Sequence, residues 1–172
     1  MTTRFDRRLF LKAAGLAALS PALPAWGRRS SAAWSGRSDA IRVAFVGVGG
    51  RGWANLTETA AVDGVDVVAL CDVDANALAT ASERFAGART LADFRTLADH
   101  GADFDALLVS TPDHTHAAAA ALGLHLGKPV YCEKPLCRTV AEVRTLTDLA
   151  RQADVPTQMG TQIHAGANYR RR

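Results

Sequence analysis

The sequence predicts an α/β fold with a doubly wound, mostly parallel sheet and helices on both of its faces. Three observations carry this. From residue 40 onward, short apolar runs alternate with Ala- and Leu-rich stretches of helical length, the order expected of repeated strand-helix units. The runs VAFV, VVAL and ALLV are apolar at successive positions rather than alternate ones, as strands are when helices cover both sheet faces. Polar residues gather just after these runs, at carboxyl strand ends, where doubly wound sheets bind ligands.

The first predicted strand, 41–46, runs into Gly47-Val48-Gly49-Gly50-Arg51-Gly52, and a helix over about 52–62 begins on the last glycine. The second strand, 66–71, is followed by Asp72 and by Asp74, which is placed to cap a helix over 74–85. A short third strand, 88–91, leads to a helix over 93–99. The fourth, 104–110, ends in Ser110-Thr111-Pro112-Asp113; Asp113 is expected to cap an Ala-rich helix over 114–126 that Gly127 closes. The fifth, 129–132, meets Glu133-Lys134-Pro135, a helix over 139–153 and a sixth strand over 156–159. With 172 residues, 48% hydrophobic and 22% charged, the chain has the size and composition of one globular domain plus a short extension.

That extension is at the front. Residues 1–39 read as an export signal and linker, because Asp6-Arg7-Arg8-Leu9-Phe10-Leu11-Lys12 closely matches the twin-arginine pattern. The apolar stretch 13–19 that follows is broken by Ser20-Pro21 and Pro24, and is too short and too rich in Ala and Gly for a stable membrane span. Ser31-Ala32-Ala33 offers small residues for cleavage, with Leu23-Pro24-Ala25 as the alternative. The expected partner is the twin-arginine translocation machinery and the expected location periplasmic or otherwise exported. Since that pathway moves folded proteins, a cytoplasmic cofactor can be bound before export. The signal also explains the basic balance. Residues 1–40 hold seven Arg and Lys against Asp6 and Asp39, a net +5, so the remainder carries −2 of the total +3. No basic stripe interleaved with aromatics remains to grip a nucleic acid, and that class is set aside.

Gly-x-Gly-x-x-Gly alone is a weak sign. Here it follows a strand, opens a helix and is answered by Asp72, 20 residues past Gly52 at the next strand's end, which together form the fingerprint of a Rossmann dinucleotide-binding domain. Gly47 permits the tight turn, Gly49 lets backbone approach a pyrophosphate, and Gly52 lets the helix pack on the strand. Gly50 belongs to the same turn, and Arg51 adds positive charge beside it. A carboxylate at Asp72 accepts hydrogen bonds from ribose hydroxyls and repels a 2′-phosphate, so NAD is favoured over NADP, with NADP left open by Arg51. Cys71, Cys132 and Cys137 are odd in number, without metal-ligand spacing, and the first two read as buried small hydrophobes at strand ends. His114 and His116 lack Cys or carboxylate partners at ligand spacing, which favours helix-start hydrogen bonding over metal binding. Lys134, an ammonium at a strand end, is placed to polarise a substrate hydroxyl or carbonyl; the alternative is a surface ion pair with Glu133.

Taken together, VAFVGVGGRG, ALCDVD, STPDHTH, GKPVYCEKPL and QMGTQIHAGANYRR resemble the N-terminal half of the Gfo/Idh/MocA oxidoreductases, continuously over residues 41–172. The resemblance implies that Lys134 reaches substrate and nicotinamide ribose, often with a cis peptide before Pro135. It implies that Ser110, Thr111, Pro112 and His116 line the nucleotide site with Glu133, and that the segment of Gln162 and His164 approaches the nicotinamide. Hydride would then pass between the ring and a carbohydrate-like alcohol. Cys137 and Arg138 stand where many similar sequences carry Thr and His. Family members continue into an α/β substrate domain. The expectation is therefore a nucleotide domain over 40–160, the start of a linker over 161–172, and an absent C-terminal substrate domain. Two other readings stay open: a nucleotide-binding fragment or split-enzyme chain without turnover, and an NAD-dependent glycoside hydrolase relative that uses transient oxidation.

Overall fold

The computed structural model describes residues 40–165, so the predicted signal at 1–39 lies outside the described residues, as do residues 166–172. The elements are β1 (Ile41–Val46), α1 (Arg51–Ala60), β2 (Val65–Cys71), α2 (Ala75–Arg84), β3 (Arg89–Leu91), a 3-10 helix (Phe94–His100), β4 (Ala106–Val109), α3 (Asp113–His125), β5 (Val130–Glu133), α4 (Val140–Ala153), β6 (Thr157–Gly160) and α5 (Gln162–Ala165). The strands pair in parallel in the order β3-β2-β1-β4-β5-β6. The order reverses between β1 and β4, which opens a crevice at their carboxyl ends.

Strand residues alternate between two apolar layers. Val43 and Phe45 of β1 and Leu108 of β4 face Leu56 of α1 and Ala81 of α2. Ala44, Val46, Leu107 and Val109 point the other way, to Leu97 of the 3-10 helix, Ala119 and Leu124 of α3 and Leu146 of α4. This is why the strand sequences read as unbroken apolar runs. Helix α3 lies so close to the sheet that a Cβ on Gly123 would stand 2.7 Å from Val130 Cγ2 and 2.9 Å from Leu107 Cδ2. The three cysteines are free, and burial pushes the Cys71 and Cys132 thiols up to about 12, which fits their reading as small hydrophobes. Among the described residues no helix is long and apolar enough to cross a membrane.

Local capping differs from expectation at one helix. Asp74 caps α2, accepting from the Asn76 N–H at 2.9 Å, as its position suggested. Asp113, by contrast, is the first residue of α3, whose cap is Pro112; there its charge meets the positive end of the helix without serving as the cap. Gly127, at φ +66, closes α3. The segment expected as an α-helix over 93–99 is the 3-10 helix, whose rise of about 2.0 Å per residue covers more distance than an α turn on the way from the sheet edge to β4. Helix α5 was not anticipated from the sequence.

Candidate functional site

The site begins where β1 stops. Gly47 N–H donates to the Cys71 carbonyl at 2.8 Å, and Ser110 N–H donates to the Val46 carbonyl at 2.8 Å, so the end of β1 is tied to β2 on one side and β4 on the other. Gly47 has φ +84, and a Cβ on it would lie 2.6 Å from the Ser110 carbonyl oxygen. A Cβ on Gly52 would collide with the Gly47 carbonyl. The turn therefore closes backbone on backbone. Gly50 precedes α1, whose first turn carries neither a side-chain cap nor an acidic residue, leaving its positive end for an anion.

Asp72 is bound to this turn. Its Oδ2 accepts from Val48 N–H at 2.8 Å and Gly49 N–H at 3.2 Å, and its Oδ1 from Asp74 N–H at 3.0 Å. A carboxylate offers about four acceptor positions, so the one left open is on Oδ1. Gly47, Gly49, Asp72, Ser110, Thr111 and Pro112 line one pocket of about 740 Å³. Thr111 Oγ1 is buried with no hydrogen-bond partner among the described residues, a deficit of about 1–3 kcal/mol that a ligand's polar group can make good. The glycine-rich turn, the uncapped helix end and this orphaned hydroxyl are what a dinucleotide requires.

On the β5 side the centre is Glu133, 4% exposed. Its Oε1 accepts from Asn55 Nδ2 at 2.9 Å, Arg51 Nε at 3.3 Å and the Tyr131 hydroxyl at 3.3 Å, and its Oε2 accepts from Lys134 N–H at 3.1 Å. Asn55 also donates to Ser110 Oγ at 2.9 Å, so one amide links α1, β4 and β5. Burial disfavours the charged carboxylate, but the donors on Asn55, Lys134 and Arg51 outweigh it and hold Glu133 below its ordinary value. Burial, with the neighbouring Glu133 charge, pushes the Tyr131 phenol up.

The Glu-Lys-Pro turn is held from its other side by His116, 1% exposed, whose Nδ1 lies 2.6 Å from the Pro135 carbonyl and Nε2 2.7 Å from that of Thr111. A neutral imidazole has one N–H and can donate to only one of these acceptors at a time. The Lys134–Pro135 peptide is cis. Lys134 is exposed, and its ammonium has no ion-pair partner among the described residues. The ion pair with Glu133 posed as its alternative role is therefore not formed: Glu133 pairs with Arg51 instead.

The structure thus gathers Gly47, Gly49, Gly50, Arg51, Gly52, Asp72, Ser110, Thr111, Pro112, His116, Glu133 and Lys134 at one end of the sheet. Arg51 leans to the β5 side, lining a groove of about 700 Å³ over β4 to β6 rather than the pocket with Asp72. Gln162 opens α5, but its side chain lies outside the described residues. His114 is exposed, and no group of three or more His, Cys, Asp or Glu among the described residues is arranged to hold a metal. Asn55 and Tyr131 were missed. The one available sign was an amide four residues after Arg51, on the same helix face and next to the core residue Leu56.

The fold and this crevice define a Rossmann dinucleotide-binding domain. The chain belongs to the Gfo/Idh/MocA family, described as an oxidoreductase family with an NAD-binding Rossmann fold, whose profile matches residues 41–161. It is 28% identical to a glycosyl hydrolase family 109 protein of Shewanella pealeana, over 98% of this chain and 41% of that protein. It is 36% identical to an inositol 2-dehydrogenase of Acidothermus cellulolyticus, over 59% of this chain and 30% of that one. The chain thus spans between 30% and 41% of the length of these curated relatives. Among solved structures, a scyllo-inositol dehydrogenase from Lactobacillus casei with bound NAD(H) and scyllo-inositol superimposes with a TM-score of 0.72 at 24% identity, covering 77% of this chain and 39% of that one. That likeness is one of fold.

Replacing Glu133 by Gln keeps the shape of the network and removes its charge. Because the folded-state value of Glu133 is depressed, its contribution is present above its ordinary 4.5 and lost as pH falls through the lower folded value. Denaturant titrations of Glu133→Gln should show a loss of about 1–3 kcal/mol at pH 7 that shrinks toward pH 3. A loss that does not change with pH would show that the charge contributes nothing.

Proposed function

We propose that the chain supplies the NAD-binding half of a hydride-transfer enzyme acting on a sugar- or polyol-like alcohol. The observation that carries this reading is Lys134: its ammonium has no ion-pair partner among the described residues, and it stands on a turn fixed by Glu133 and His116, at the same strand ends as the glycine turn. In this reading the backbone N–H groups of Gly47 to Gly52 bind the pyrophosphate, and Asp72 accepts from a ribose hydroxyl through its open position on Oδ1. Ser110, Thr111, Pro112 and Gln162 line the cofactor, while His116 and Glu133 set the position of the loops that carry the reacting end. A nicotinamide dinucleotide held by these residues would supply a hydride acceptor or donor for an alcohol carbon. The N–H groups of Lys134 would stabilise negative charge on the substrate oxygen as its proton passes to water.

Inositol 2-dehydrogenases among the relatives support an alcohol substrate of this class. A second reading is favoured by one observation: the match to the glycosyl hydrolase family 109 protein extends over 98% of the chain, against 59% for the inositol 2-dehydrogenase. In that reading transient oxidation of a glycoside by the same cofactor half precedes bond cleavage, and Lys134 keeps its role.

Calorimetric titration of the full chain should give saturable binding of NAD, weaker binding of NADP, and little change in NAD affinity on Lys134→Ala. NADP binding as tight as NAD would overturn the role of Asp72. A collapse of affinity in Lys134→Ala would make that residue a structural anchor.

We also assign residues 1–39 to a twin-arginine signal and linker, residues 40–160 to the nucleotide domain, and residues 161–172 to the start of the connection to a substrate domain, with the protein exported. The Arg7-Arg8 pair and the short apolar stretch after it support the first assignment. Cell fractionation should find the protein outside the cytoplasm and find the Arg7→Lys, Arg8→Lys double variant retained inside it. Equal export of both would contradict the assignment.

A further inference from the structure

A second pair of charges stands on the wall of the pocket that holds Asp72. Strand β3 ends beside β2, with Cys71 opposite Leu91 and the Asp72 N–H donating to the Leu91 carbonyl at 3.2 Å. This register sets Asp93, two residues past Leu91, on the same rim as Asp72, and both line the pocket with Arg95. The Arg95 guanidinium is folded back onto Asp93. Its Nε lies 2.9 Å from each carboxylate oxygen, and its Nη2 donates to Oδ2. Asp93 also caps the 3-10 helix, accepting from the Arg95 N–H at 3.0 Å.

We propose that Asp93 determines dinucleotide specificity together with Asp72, excluding a 2′-phosphate by occupying the guanidinium edge of Arg95. The proposal rests on the nucleotide reading above. Among the described residues Arg95 is the only Arg or Lys lining the pocket, whose other titratable side chains are Asp72, Asp93, His114 and the Cys71 thiol, which burial keeps protonated. While Asp93 holds it, the Nε–Nη2 edge that would clasp a phosphate is filled by a carboxylate. With one Arg and two Asp, the rim has a net charge of −1, and it opposes a phosphate monoester of about two negative charges. Asp72 alone is a limited selector, since three of its acceptor positions serve the protein's own backbone. Stability does not account for the pair. The Arg95 and Asp93 side chains are 78% and 40% exposed, and such a surface pair adds little to folding. Capping does not account for it either, because that needs a short polar side chain and no charge.

Asp93→Asn keeps the cap and removes the charge, which separates the two roles. Calorimetric titration of the full chain with NAD and NADP, before and after this substitution, should show NADP binding about five- to tenfold tighter in the variant, with NAD affinity nearly unchanged. Asp93→Ser, another capping residue, should behave alike. Adding Arg95→Gln to Asp93→Asn should remove most of the gain. An unchanged NADP-to-NAD ratio in both single variants would overturn the proposal, as would a gain that survives the loss of Arg95. A wild-type chain that binds neither dinucleotide would overturn the nucleotide reading and this proposal with it.

Discussion

Backbone packs against backbone where β1 turns into α1, and the placement of the site groups follows from that contact. Gly52 rests on the Gly47 carbonyl and Gly47 on Ser110, so α1 starts directly above the strand ends. Its next turn then carries Asn55 within reach of both Ser110 and Glu133. Any side chain at Gly47 or Gly52 would lift the helix and part those bonds. The same closure turns the Val48 and Gly49 N–H groups onto Asp72, fixing the acid of β2 to the turn it faces.

Glu133 shows how a buried charge is used to set geometry. Removing a carboxylate from water is unfavourable by several kcal/mol, and such a group persists when its oxygens are filled by donors in good geometry. Here the donors come from α1, from β5 itself and from the backbone of the next residue. Because Arg51 supplies the compensating cation, Lys134 is not drawn into the pair and stays at the surface of the crevice. His116 completes the arrangement by spanning the carbonyls of Thr111 and Pro135, so the loops after β4 and β5 are fixed relative to each other.

Much of this was legible in the chain. The strands were readable because a sheet covered on both faces writes itself as unbroken apolar runs, and the glycine turn because its spacing to Asp72 repeats the physical spacing of two adjacent strand ends. What was not legible depends on partners far apart in sequence. Asn55 and Glu133 are separated by 78 residues, and no local pattern tells an Asn that bonds a buried carboxylate from one that faces water. The direction of Arg51 was hidden for the same reason: an arginine beside a phosphate-binding turn can lean toward either side, and only the burial of Glu133 decides. The 3-10 geometry after β3 and the cap of α3 turn on small backbone differences that composition does not encode. The chain's front, read as an export signal, stands on its sequence pattern alone.

The central claim is that the turn from Gly47 to Gly52 is where a dinucleotide's phosphates sit, between Asp72 on one side and the Glu133-Lys134-Pro135 turn on the other. Amide NMR of the 18.2 kDa chain titrated with NAD tests it residue by residue. The account predicts saturable shifts of the Gly47 to Trp53 amides, accompanied by those of Asp72, Thr111 and Lys134. Saturable shifts confined to residues elsewhere, with the glycine turn unmoved, would contradict it.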